Sequence, residues 1–351
     1  MKKQLFSVLA IAWMAVTTSF AQSSLVATLV HDNSVTAYYG ITAFQEAHEA
    51  AASGDVITLS SGVFNSVDIT KAITLHGAGT DTDTTTSVTP TVLAGDFSID
   101  IPDSDTDGTL TMEGIYHNYK IIYKNLKDAR FIKNRFNQFI WETDSSKLKD
   151  AVFVHCRITG AIQLQKDCSA TLMNCYVTSP NCANATTSNF TFTNCVVSTN
   201  RYDQIHTSSI YNCIFNNNWS GDYYNQANAL FNSSVTLFNN ISLSRSSFYT
   251  GDDFRNLSTS NTSNTVITAD DRYAQVFKTY TGSYNDNMTF ELTDSIKQIY
   301  LGTDGKEIGM YGGSLPYTSA PSYPQISKFE VAEKTSSDGK LHVNIEVKKA
   351  D

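Results

Sequence analysis

The chain predicts an all-β fold, a single-stranded right-handed parallel β-helix solenoid with an N-terminal capping helix and a short C-terminal β-hairpin tail. Three observations predict it. The first is a repeat: Glu113, Asn134, His155, Asn174, Asn194, Asn212 and Asn239 hold equivalent places in segments spaced 21 residues apart on average. A fixed period in this range marks a solenoid, whose units bury their apolar faces only by stacking on one another. The second is what each unit contains: a short β-type run such as Phe190-Thr191-Phe192 or Val235-Thr236-Leu237, then the Asn, then a second apolar run and a polar loop. Alternating apolar and Ser/Thr residues argue strand, and Asn tolerates the left-handed conformation a sharp corner requires. The third is a column of cysteines one residue past the Asn: Cys156, Cys175, Cys195 and Cys213. Stacked rungs lie about 4.8 Å apart, so both columns form ladders along the axis. Parallel in-register thiols are poorly placed for a disulfide torsion, and the column reads as buried thiols acting as small hydrophobes. Cys168 and Cys182 lie off the column and could pair with each other.

Element by element, the chain opens with Lys2, Lys3 and the apolar run Leu5 to Val16, then small residues up to Ala21. This pattern is a cleavable secretory signal over 1–21, and its apolar run is too short to span a membrane. Export as a soluble or cell-surface protein, periplasmic or secreted, is expected, and the mature protein reads as a monomer. Ile41 to Asp55 reads as one amphipathic helix with Gly54 as its C-cap and Ile41, Phe44, Ala47 and Ala51 on its buried face. Such a helix would cover the open end of the first coil. The solenoid is expected over 22–318. Beyond it, 319–351 comprises a Ser/Pro/Tyr-rich linker, running from about Ser314 to Pro324, and two alternating strands around the Asp338-Gly339 turn signal. Pairing of that hairpin with an edge of the solenoid is expected, because two strands rarely stand alone.

Net charge is −9 and the pI near 5.2, which argues against a nucleic-acid partner. One stretch runs the other way: Lys120, Lys124, Lys127, Arg130, Lys133, Arg135, Lys147, Lys149 and Arg157. It reads either as solvated faces of two coils or as a patch for an anionic polymer.

The helix ending Ala51-Ala52-Ser53-Gly54-Asp55-Val56-Ile57-Thr58-Leu59, followed by a Gly turn and Lys71-Ala72-Ile73-Thr74-Leu75-His76-Gly77-Ala78-Gly79, resembles the opening of secreted pectin-lyase-like β-helix proteins of Gram-negative bacteria. Tyr273 to Phe277, Phe290 to Leu292 and Gly302 to Gly313 resemble that group's closing coil. The resemblance spans roughly residues 40 to 315 and implies the fold. It leaves the activity open, because that fold hosts lyases, hydrolases, epimerases and non-catalytic surface proteins.

No catalytic motif of such enzymes is present. Asp252-Asp253 and Asp270-Asp271 lack the accompanying segments of a polygalacturonase, and no clustered acidic run suggests a calcium site. No cofactor and no metal is implied. Among the histidines, His155 reads as a corner substitute and His206 as part of a solvated loop, with His76 and His117 the remaining candidate bases. The longest interval in the repeat carries the best candidate. Trp219, Tyr223, Tyr224 and Tyr249 are exposed-loop aromatics of the kind that stack on sugar rings, and Asp222, Asp252 and Asp253 are polar contacts beside them. The expected partner is a polysaccharide or glycan. The expected function is a non-catalytic carbohydrate-binding or cell-surface structural protein; the alternative is a polysaccharide lyase or hydrolase acting on an acidic glycan.

Overall fold

The computed structural model describes residues 25–82, 88–182, 187–199, 205, 208–217, 235–243, 264–267, 269–282, 284–285, 287–323, 325–331, 335–336, 339–340 and 343–348. It is a parallel β-helix. One long sheet stacks Val56–Leu59, Thr74–His76, Thr111–Glu113, Arg130–Ile132, Ala151–Val154, Ser169–Met173, Asn189–Thr193, Ser209–Tyr211 and Thr236–Phe238 in parallel order. We call this sheet A. Sheet B stacks the second strand of each coil, from Gly62–Asn65 through Ile115–Lys127 and Arg135–Trp141 to Thr265–Ile267. Its longest strands shift register between Phe136 and Gln138, and the far half of Ile115–Lys127 also pairs with Phe97–Asp100 and Lys147–Lys149.

Side chains alternate along each strand, so every second column points inward. Sheet A contributes Leu75, Met112, Phe131, Phe153, Leu172, Phe192, Ile210 and Leu237, all fully buried and aligned rung on rung. Phe131 and Phe153 stack with ring centroids 4.7 Å apart.

The register moves the predicted corner column at two places. The left-handed corner residues are Gly114, Lys133, His155, Asn174, Asn194, Asn212 and Asn239, with φ between 50° and 69°. Glu113 and Asn134, assigned to this column from sequence, therefore stand one residue off it. Glu113 instead ends a strand of sheet A, beside His76. Asn134 belongs to the inner column that also holds Cys156, Cys175, Cys195, Cys213 and Asn240. That column does more than fill space. Asn134 Oδ1 accepts the Ile115 N–H at 2.9 Å and its amide donates to Met112 O at 2.7 Å. Cys175 Sγ accepts the Cys156 N–H and Cys213 Sγ accepts the Cys195 N–H, each at 3.3 Å. Asn240 Oδ1 then accepts the Cys213 N–H at 2.8 Å. Thiols and amides thus satisfy the same buried corner donors, an obligation a hydrocarbon could not meet. All six cysteines are buried and none is in a disulfide, so Cys168 and Cys182 are not bonded to each other.

At the N-terminal end, Val26–His31 pairs antiparallel with both Ser34–Tyr39 and Val56–Leu59. The capping helix α1 is Ala43–Ala50, shorter than expected. Ala51 is extended, and Gly54, past the helix, takes φ 92° in the next turn. Phe44 and Ala47 are fully buried, whereas Ile41 lies before the helix and is 53% exposed. The helix end is closed by Lys71, whose ammonium donates to His48 O, Glu49 O and Ala51 O at 2.7, 2.9 and 2.6 Å. A cation there also complements the helix dipole.

At the other end, the segment expected to form a closing coil lies along the flank. Helices α2 (Arg272–Val276) and α3 (Asp294–Ile299) and the stretch to Met310 pack Tyr273, Val276, Phe277, Phe290, Leu292, Ile308 and Met310 on the outer face of sheet B. The outward column there is apolar, Tyr176, Val196, Ile214 and Ile241, and needs cover. From Leu301 the chain runs back along the Asn corners. Asn239 donates to Leu301 O at 2.7 Å, Asn174 to Met310 O and Gly312 O at 2.9 and 2.8 Å, and His155 Nε2 to Leu315 O at 3.0 Å. Ser322 N–H reaches Glu113 Oε1 at 2.8 Å. Residues 301–323 thereby form a strap antiparallel to the order of the coils. The terminal hairpin, Gln325–Val331 with Val343–Lys348, forms a two-stranded sheet of its own, not the expected extension of the solenoid.

Candidate functional site

Trp219, Asp222, Tyr223, Tyr224, Tyr249, Asp252 and Asp253 all lie outside the described residues, as does His206. Asp271 precedes α2 and accepts a hydrogen bond from Gln275 at 2.6 Å, a local structural contact. The basic stretch is divided by the coil geometry. Lys124 pairs with Glu142 at 3.1 Å, Lys127 with Asp128 at 3.5 Å and Lys147 with Asp103 at 3.8 Å. Arg135 donates to Asn287, and Arg157 is buried against the stacked rings of Tyr176 and Phe290, 5.4 Å from each centroid, donating to Met288 O. Five of the nine basic side chains, Lys124, Lys127, Lys147, Arg135 and Arg157, thus have partners within the chain.

Two places do gather chemistry-bearing side chains. Beneath the strap run His76, Glu113, Lys133, His155 and Arg157, with Tyr317 and Tyr323 from the strap itself. His76 Nδ1 is 3.8 Å from a Glu113 oxygen and its ring lies 4.7 Å from that of Tyr323. Burial lowers the proton affinity of His76, His155 and Lys133 and raises that of Tyr317. Glu113, Lys133, His155 and Arg157 are each under 9% exposed. These are titratable groups of the types an enzyme uses, but Glu113, Lys133, His155 and Arg157 are sealed, and only His76 and the two tyrosines are partly exposed. Their visible work is to hold the strap.

The second place is open. A cavity of about 280 Å³ is lined by Ala72, Ile101, Asp103, Asp105, Thr106, Thr109, Lys127 and Asp128. Asn125 shapes it, donating from one amide to Ile101 O at 2.7 Å and to Asp103 Oδ1 at 3.1 Å. That hydrogen bond, and next the ammonium of Lys147, hold the Asp103 carboxyl below the usual carboxylate range. Asp105 accepts from Ser53 Oγ and from the Ala72 N–H, which ties the loop to the α1 end of the first coil. The apolar floor of Ala72, Ile101 and Leu110 under a rim of carboxylates, hydroxyls and one ammonium suits a small polar ligand with an apolar face. None of the site residues expected from the sequence lies in this loop. Its signal is the alternation Asp103-Ser104-Asp105-Thr106-Asp107-Gly108 directly after Pro102. Among the described residues no three His, Cys, Asp or Glu side chains are grouped to hold a metal ion.

Fold and sites together define a parallel β-helix protein that carries an open polar cavity and a largely buried polar row among the described residues. Comparison with family models, with curated proteins and with solved structures finds no match in any of the three.

Proposed function

We propose that the protein is an exported β-helix that binds carbohydrate without transforming it, and that the cavity beside Asp105 is where a sugar unit sits. The cavity carries this reading: it is open, and it pairs an apolar floor with carboxylate acceptors from Asp103, Asp105 and Asp128 and a donor from Lys127. Carboxylates accept bidentate hydrogen bonds from vicinal hydroxyls, and an ammonium donates to a ring or hydroxyl oxygen. The basic opening, apolar run and small residues of 1–21 support export. Calorimetry against a panel of soluble oligosaccharides tests the reading. Binding of at least one oligosaccharide is expected, weakened about tenfold by Lys127→Ala, the loss of one charge-assisted hydrogen bond. Absence of binding to every member would end it.

The lyase reading draws on the row under the strap, where burial lowers the proton affinity of Lys133 and of its neighbour His155. Incubation with polyuronates, following absorbance of the unsaturated product, separates the two. Turnover that is lost in Lys133→Met would favour the enzyme.

A further inference from the structure

Sheet A presents an outward face that neither the cavity nor the strap uses. From Ala151–Val154 onward its outward residues form two columns in strict register. One is Val152, Thr171, Thr191, Ser209 and Thr236; the other is Val154, Met173, Thr193, Tyr211 and Phe238. Each is partly exposed, while the residue between them on every strand is buried in the core. None of the ten carries a charge, in a chain that is 17% charged. Upstream the face changes character, with Arg130 and then Glu113 in the same columns. The C-terminal layer covers the outer face of sheet B instead, and its apolar cluster includes no residue of sheet A.

Three properties of this face point to one kind of partner. Parallel in-register rungs make it flat, and four intervals of about 4.8 Å give it a length of about 19 Å. Within the described residues, the hydroxyls of Thr171, Thr191, Thr193, Ser209, Tyr211 and Thr236 have no hydrogen-bond partner in the chain, so they face outward as a regular array of donors and acceptors. Tyr211 and Phe238 then supply adjacent rings at the far end. An array of hydroxyls with aromatic plates and no charge matches a flat, hydroxyl-bearing, uncharged surface that also repeats. A polyuronate would bring carboxylates to a face that holds no cation, and the surface of an unrelated protein has no such period.

We propose that this face docks the protein on the ordered surface of an insoluble neutral polysaccharide. The proposal rests on the carbohydrate reading and adds a second, separate contact of stated class. Pull-down with microcrystalline cellulose and with crystalline chitin tests it, with a calcium polyuronate gel as the charged control. The full chain is expected to be retained on at least one neutral polymer and not on the gel. Thr193→Lys places a hydrated ammonium in the centre of the face and should cut retention by about tenfold, with circular dichroism and melting unchanged. Thr191→Val keeps the shape, removes one hydroxyl and should lower retention about threefold. Lys127→Ala, in the cavity, should be retained as the parent is. The proposal is overturned if the parent stays in solution with both neutral polymers, or if Thr193→Lys is retained equally. It is also overturned if sedimentation shows a dimer that Thr193→Lys breaks, since the face would then bind a second copy. Loss of soluble-oligosaccharide binding with solid-phase retention intact removes the cavity alone; loss of both removes the shared reading.

Discussion

Cys175 shows how much a single side chain has to do in a stacked coil. Its sulfur fills a buried position and accepts the Cys156 N–H at 3.3 Å. Cys175→Ala removes both and is expected to cost about 2–3 kcal/mol, from a small cavity and an orphaned buried donor. Cys175→Ser restores an acceptor and should cost less, a difference that urea unfolding would resolve. Burial pushes the Cys175 and Cys213 thiols up, so both remain protonated and poorly nucleophilic. Lys71 is the counterpart at the surface. Lys71→Met removes three hydrogen bonds to the end of α1 and should lower stability by about 1–2 kcal/mol, read as a drop in melting temperature. Residue identity also explains the off-by-one register. Asn174, Asn194, Asn212 and Asn239 advertise the left-handed corner by propensity, whereas Lys133 adopts φ 51° without any such preference. Stacking on Gly114 and His155 imposes it, and stacking is invisible to a reading of single residues.

Among elements, the strap depends most on specific contacts. Asn174 supplies two of its hydrogen bonds, to Met310 O and Gly312 O. Asn174→Gly keeps the corner conformation but deletes both bonds. Amide hydrogen exchange should then quicken in 310–317 while the inward strand Ser169–Met173 stays protected. Equal exchange in both proteins would show that the strap is held by apolar packing alone. The strands and their order were legible in the chain, because alternation and period are local signals. The flank layer was not. Its cue lies in the outward column, which changes from Tyr116, Arg135 and Arg157 to Tyr176, Val196, Ile214 and Ile241. That change has meaning only once the register is known. The cavity was hidden for a similar reason: Asn125 and Asp103 meet only because separate rungs bring them together.

For the molecule as a whole, acid is the expected weakness. His48 is on the buried side of α1 with its proton affinity pushed down to about 4, first by burial and then by the Lys71 ammonium. Burial lowers His76, His117 and His155 in the same direction. A group whose folded value lies below its unfolded value of 6.5 contributes fully above that pH and loses its contribution as pH falls. Stability should be flat from pH 8 to about 7 and decline from about 6.5 to 4, with His48 alone accounting for up to about 3 kcal/mol. Urea midpoints at several pH values would check this, and His48→Gln should flatten part of the slope.

The returning strap also decides where the two halves of the chain's course meet. Tyr323 sits against His76, in the rung next to Val56–Leu59, although more than two hundred residues of polypeptide lie between them. Anything tethered beyond that tyrosine consequently departs from the pole where the winding began. The last rungs, Thr236–Phe238 and Thr265–Ile267, stand at the other end of the stack from that point of departure.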